Sequence, residues 1–172
     1  MTDNEPRQRK LVRDLMAVGV PTCPEETTLL ELTRLCLEKE LEAVVVLDQQ
    51  GHAAGYVSWD ELVAAYSQET PPEQPVETIM RPGLPQVPPD IPLTAAAQIM
   101  QDQRVRVLFL THRAGGIEYP AAMLTYRHLL RHLAAENEDA LSDLGVRAER
   151  DNPMAAFMRR RDEARRRAGL DR

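Results

Sequence analysis

Apolar residues along this chain fall into short blocks whose spacing alternates between helical and extended periods. Leu11, Val12, Leu15 and Met16 share one face of a short helix, which Gly19 and Pro21 bring to an end. Pro21 to Pro24 is a brief extended piece. Leu29, Leu32, Leu35, Cys36 and Leu37 then run along one side of a longer helix, opposite Glu31, Arg34, Glu38 and Lys39, with Thr27 or Thr28 as its cap. Ala43 to Leu47 is an unbroken apolar run, too short for a helix and closed by the turn Asp48-Gln49-Gln50-Gly51, so it reads as a buried strand. Ala53 to Ser58 is a second strand, and Asp60 to Tyr66 a helix with Leu62, Val63 and Tyr66 on its apolar side.

Ser67 to Pro75 interrupts this pattern with Pro71, Pro72 and Pro75, which stop a helix and favour an extended linker. Beyond it the pattern starts again. At an offset of 64 positions, Val12 falls on Val76, Met16 on Met80, Pro21 on Pro85, Pro24 on Pro88, Leu29 on Leu93 and Cys36 on Met100. The run Ala43 to Leu47 falls on Val107 to Thr111. Three extra residues around Gly116 to Pro120 shift the offset to 67, which brings Ser58 onto Thr125 and Glu61 onto His128. Two copies are too few for a solenoid. Each copy has two or three short strands with helices on one side, so its open sheet face must be buried against the other copy, and neither half should be stable alone.

The stretch Gly55 to Val63, where a strand gives way to a helix, concentrates polar chemistry. Ser58 stands at an N-cap with Glu61 three residues on, the spacing of a capping box. A helix start also presents unpaired N–H groups to anions, so the same hydroxyl and carboxylate suit a nucleotide's phosphate and ribose. Both readings are open on the motif alone.

With hydrophobic-x-Pro before the first long helix of each copy and Gly-x-x-[Ser/Thr]-x-x-acid before the last, residues 10 to 133 resemble a tandem pair of cystathionine-β-synthase (CBS) domains. The resemblance implies an α+β fold of two βαββα repeats related by pseudo-twofold symmetry, followed by a C-terminal helical extension. It divides the chain into a flexible N-terminus (1–10), first repeat (11–66), Pro-rich linker (67–75), second repeat (76–133) and basic extension (134–172). It further implies a regulatory module, without an enzyme's machinery, that binds AMP, ADP, ATP or S-adenosylmethionine in clefts between the repeats. Carried over position by position, Ser58 would touch phosphate and Glu61 ribose, Glu61 being one methylene longer than the family's usual Asp. Thr22, Cys23 and Pro24 would line the adenine pocket, with Val87 as the second copy's counterpart. Thr125 and His128 form the weaker echo, because an imidazole replaces the carboxylate and Ala122 the glycine. Both copies also lack the proline frequent early in the middle strand, where Val45 and Phe109 stand.

Composition narrows the remaining classes. The formal charge of −6 divides into +4 over Arg147 to Arg172 and −10 elsewhere. Met154, Phe157 and Met158 open the basic final helix, expected to run from a cap at Asp151-Asn152-Pro153 to about Ala168. Docking on this chain's own acidic module, or on a second copy, is favoured for it over nucleic acid or a membrane surface. Glu136 to Gly145 reads as a short acidic helix. Cys23 and Cys36 have no partner pattern and read as buried apolar residues. No catalytic or phosphate-loop motif occurs, and His128 with His132 lacks a third metal ligand. Trp59 is expected to cover apolar surface, and Arg104 and Arg106 either reach a phosphate or sit at an exposed strand edge. With no signal peptide or membrane span in the sequence, the expected protein is cytoplasmic, and the resemblance implies a homodimer serving an unidentified regulated partner.

Overall fold

The computed structural model describes residues 9–146, 148 and 153–169. The expected loose start at 1–8 and the cap at Asp151-Asn152 lie outside the described residues.

The elements run α1 (Val12–Leu15), β1 (Ala17–Val18), β2 (Thr22–Pro24), α2 (Leu29–Glu38), β3 (Ala43–Leu47), β4 (Ala53–Ser58), α3 (Trp59–Ser67), β5 (Arg81–Pro82), α4 (Leu93–Gln103), β6 (Val107–Ala114), β7 (Ile117–Thr125), α5 (Tyr126–Ala134) and α6 (Pro153–Arg167). Single 3₁₀ turns occupy Val76–Thr78 and Glu138–Leu141. Thr28 is the cap of α2, accepting from the Glu31 N–H while the Glu31 carboxylate accepts from the Thr28 N–H. The nine residues of α3 end at Ser67, and the proline segment then turns back to satisfy the start of α2: the Leu30 N–H donates to the Pro72 carbonyl and that of Leu29 to Gln74.

Two sheets result, ordered β2-β3-β4-β5 and β1-β7-β6. Their edges are exchanged. β1, from the start of the first repeat, pairs antiparallel with β7 of the second through Ala17 opposite Met123 and Val18 opposite Ala122. β5, from the start of the second, pairs with β4 of the first through Gly55 opposite Pro82 and Tyr56 opposite Arg81. The leading segments also cross between cores: Val12, Leu15 and Met16 pack with Leu93, Met100, Leu108 and Leu124, whereas Val76, Ile79 and Met80 pack with Leu32, Cys36, Val44 and Val57. This reciprocity is the pseudo-twofold relation in physical form: each half completes the sheet and the core of the other.

A third apolar cluster lies between the sheets. Val45 and Leu47 of β3 meet Tyr56, Val107, Phe109, Tyr119 and Ala121, while Val44 and Val46 face the helices. β3 is thus covered on both faces, the reason its sequence lacks polar alternation.

Three expectations need correction. The first helix stops at Leu15, because the chain must extend at once to pair with β7. The middle strand of the second repeat continues to Ala114, since the longer loop lets β6 and β7 pair out to Ala114 opposite Ile117. Glu136 to Gly145 is not a helix but one 3₁₀ turn, capped by Asn137, after which the Gly145 N–H donates to Met16 and that of Val146 to Arg13. Docking on α1 claims the backbone that a longer helix would use. Cys23 and Cys36 are buried free thiols, and burial pushes them up to about 12 and about 11 respectively.

Candidate functional site

At the N-terminus of α3, Ser58 is 5% exposed and sits opposite Ala43 in the sheet. Its Oγ accepts from the Asp60 N–H at 3.2 Å, and both its N–H, at 2.8 Å, and its hydroxyl donate to Glu61 Oε2. Glu61 Oε1 faces Arg81 Nε at 3.7 Å, with the carboxylate side chain 11% exposed. Arg81 belongs to β5, so the second repeat's leading segment delivers a guanidinium to the first repeat's helix start. That group also donates to Tyr56 Oη at 3.3 Å and to the Arg104 carbonyl at 3.4 Å. Burial raises the Tyr56 phenol, partly offset by Arg81. Arg106 Nε lies 3.0 Å from Asp60 Oδ1 and its guanidinium 6.0 Å from the Tyr126 ring centre. The corner therefore combines a hydroxyl, two carboxylates and two arginines drawn from both repeats, a composition suited to a polyhydroxylated anion.

The equivalent corner at α5 differs. Thr125 and His128 are buried, and the Thr125 N–H donates to His128 Nδ1 at 3.0 Å, which leaves the proton of a neutral ring on Nε2. Among the described residues, Thr125 Oγ1 has no hydrogen-bond partner. Arg127 pairs with Glu40 at 3.4 Å across the seam, mirroring Asp60 with Arg106 but with the signs reversed. Ala17 stands where the first corner has Arg81.

Thr22, Cys23 and Pro24 form β2 beside β3, with Thr22 opposite Val45. They line a hollow of about 130 Å³ together with Leu47 and, from α6, Arg160, Glu163, Ala164 and Arg167. Neither Ser58 nor Glu61 lines it. Val87, the counterpart of Cys23, is buried in the other repeat's core, its N–H donating to the Phe109 carbonyl. The eight candidate residues thus divide among the α3 corner, the α5 corner and the two inner edge segments. Arg81 escaped the sequence reading; the repeat alignment, which sets Met80 on Met16, marks it as the residue entering the neighbouring sheet. Of the two arginines that were singled out, Arg106 faces the corner, whereas Arg104 ends α4 with a left-handed φ of 53°.

Trp59 is exposed, its indole N–H donating to the Leu41 carbonyl at 2.7 Å. With Leu30, Leu37, Val63 and Tyr66 it lines an apolar groove of about 950 Å³ on the outer faces of α2 and α3. Among the described residues, no three His, Cys, Asp or Glu side chains gather as a metal would require, and no helix is long and apolar enough to cross a membrane.

The family model described as "CBS domain" matches residues 12–68 and again 76–135. No curated protein sequence matches the chain. Solved structures with the same fold include an uncharacterized conserved protein from Pyrococcus horikoshii (19% identity, TM-score 0.64, covering 75% of this chain and 96% of that one). The CBS domain pair of protein MJ0100, in complex with 5-methylthioadenosine and S-adenosyl-L-methionine, is 15% identical (TM-score 0.62, covering 73% and 100%). A CBS domain protein from Pyrobaculum aerophilum complexed with AMP is 18% identical (TM-score 0.58, covering 70% and 90%).

Proposed function

Since the chain belongs to the CBS-domain family and carries that domain twice in tandem, we propose that it is a non-catalytic regulatory pair that binds an adenosine-containing ligand at the Ser58–Glu61 corner. The observation that carries this reading is the meeting of the Ser58–Glu61 pair with Arg81, and of the adjacent Asp60 with Arg106, two cations supplied by the other repeat. In this reading Ser58 and the arginines take phosphate, and Glu61, released from its cap by rotation, takes ribose hydroxyls. A ligand that touches residues of both repeats favours one relative packing, and a coupling of about 1–3 kcal/mol is enough to redirect an unidentified protein partner. AMP, ADP, ATP and S-adenosylmethionine are the ligands to compare. A thermal-shift panel tests this. At about a hundred times its dissociation constant the true ligand stabilises by roughly 2.7 kcal/mol, and Ser58→Ala/Glu61→Ala removes that shift. No shift with any of them would refute ligand sensing.

The second reading is a ligand-free scaffold, favoured by the fact that Glu61 Oε2 already serves Ser58 as a cap. In that case the same double variant loses about 1 kcal/mol of stability and nothing else. Recruitment of nucleic acid by the basic helix is a weaker form of it, marked by steeply salt-dependent binding.

The proposed assembly is a homodimer through the outer helical faces, where Leu37, Val63 and Tyr66 on one repeat and Leu130 and Leu133 on the other are exposed, Tyr66 by 86%. Val63→Glu/Tyr66→Glu should convert a dimer to a monomer in sedimentation equilibrium without changing the circular dichroism. An unchanged mass would rule that face out.

A further inference from the structure

Because the repeats exchange their leading segments, the seam between the two sheets has two equivalent sides. Val20, Thr22 and Leu47 on one side correspond to Leu84, Gln86 and Thr111 on the other, and Tyr119 and Pro120 correspond to His52 and Ala53. The side walled by Leu84, Gln86 and Thr111 with His52 and Ala53 is an open hollow of about 390 Å³, which Tyr119 and Pro120 also border from the seam. Its Leu84 and Gln86 follow β5, the strand that carries Arg81 to the Ser58–Glu61 corner, although Ser58, Glu61 and Arg81 do not themselves line the hollow.

The opposite side is occupied by this chain itself. Phe157 of α6 is buried against Tyr119, ring centres 5.7 Å apart, within the same cluster as Val20 and Leu47. Ala164, two turns on, is buried in that cluster too. Arg160 donates to the Val20 carbonyl. Arg161 crosses Gly51 so closely that a Cβ there would lie 2.1 Å from its Cγ, and the positive φ of 80° independently favours glycine at this turn. A small hollow of about 130 Å³ remains beside Thr22, Cys23 and Pro24. This side adjoins β1, whose partner β7 leads to Thr125 and His128.

We propose that α6 is a built-in occupant of one of the two equivalent grooves, so that each chain offers a single groove, the one walled by Leu84, Gln86 and Thr111, to an outside ligand. The ligand's chemistry rests on the adenosine reading above; the occupation of the groove by α6 does not. The charge of α6 fits this role: its arginines sit against a module carrying the opposite net charge, and Arg160 takes up the Val20 carbonyl.

The test compares the full-length chain with Phe157→Asp/Ala164→Asp, which sets two carboxylates into the apolar seat. Calorimetric titration with AMP should give one equivalent per chain for the wild type and two for the variant, with backbone amides of 153–169 exchanging faster only in the variant. Two equivalents in the wild type, or one in a variant whose α6 amides exchange freely, would overturn the proposal. If AMP binds neither protein, the adenosine reading fails, and the groove is then judged with anilinonaphthalene sulfonate. Release of α6 should raise its fluorescence several-fold, and an unchanged signal would show that α6 covers nothing a ligand can enter. Arg160→Ala leaves the apolar seat intact and is the milder variant for the same readouts if the double substitution prevents folding.

Discussion

Phe109→Ala is expected to lower the unfolding free energy by about 3–5 kcal/mol, a large part of the roughly 5–15 kcal/mol available to a domain. Phe109 is fully buried at the seam, where its ring meets the edge of Tyr56 at 5.5 Å between centres. Its neighbours cannot close in. The Phe109 N–H donates to Pro85 at 2.7 Å and its carbonyl accepts from Val87 at 2.9 Å, which fixes the strand on that side. The opposite wall is β3 and β4, held by their own register. A cavity that stays open adds its cost to the lost transfer free energy. Urea titration monitored by far-ultraviolet circular dichroism measures the loss. A value below about 1 kcal/mol, well under the usual range for such truncations, would mean that the two sheets are not a packed pair.

Gly55→Val should be the most damaging change near the site itself. A Cβ at Gly55 would lie 2.2 Å from the Arg81 carbonyl oxygen and 3.2 Å from Met80 Sδ. The first obstacle is backbone, so β5 has to move off β4. That costs about 1–3 kcal/mol or more by overpacking and carries Arg81 away from Glu61. The melting temperature should fall by roughly 2–12 °C, at about 2–4 °C per kcal/mol for a chain of this size, and any nucleotide-induced shift should shrink with it. A variant that melts with the wild type would show that β5 is not held against Gly55. The family-like glycine here is thus explained by the exchanged strand that approaches it.

How much of this was legible in the sequence depended on whether the cause was local. Ala43 to Leu47 was legible because burial on both faces leaves a continuous apolar run. Ser58 with Glu61 was legible because a capping box needs only one helical turn. The repeat betrayed two packed halves. The exchange of edges was not legible: Ala17–Val18 and Arg81–Pro82 are two residues each, too short to show a period, and their partners lie far along the chain. Arg81 carries no local signal for that reason, and nothing near Thr22 to Pro24 in the sequence marks the α6 residues that share their hollow. The apolar start of α6 and the charge imbalance did point to docking, and Phe157 and Ala164 show where it occurs. Which groove receives that helix is a tertiary fact with no local signature.

The reversal of charge between the two corners makes the site asymmetric as well. Asp60 with Arg106 and Arg127 with Glu40 hold the same seam in opposite senses, and the first corner has in addition the Arg81 guanidinium against Glu61, where the second has Ala17 and His128. Under the proposed function the full-length chain therefore binds its ligand at the first corner, while the second groove is the one that α6 fills.

The most direct measurement of that assignment is calorimetric titration of the full-length protein with AMP and with S-adenosylmethionine, repeated on Ser58→Ala/Glu61→Ala. Saturable binding of at least one of them to the wild type, lost or weakened at least tenfold in the variant, is the predicted result. Equal affinity in both proteins, or no binding to the wild type, would contradict it.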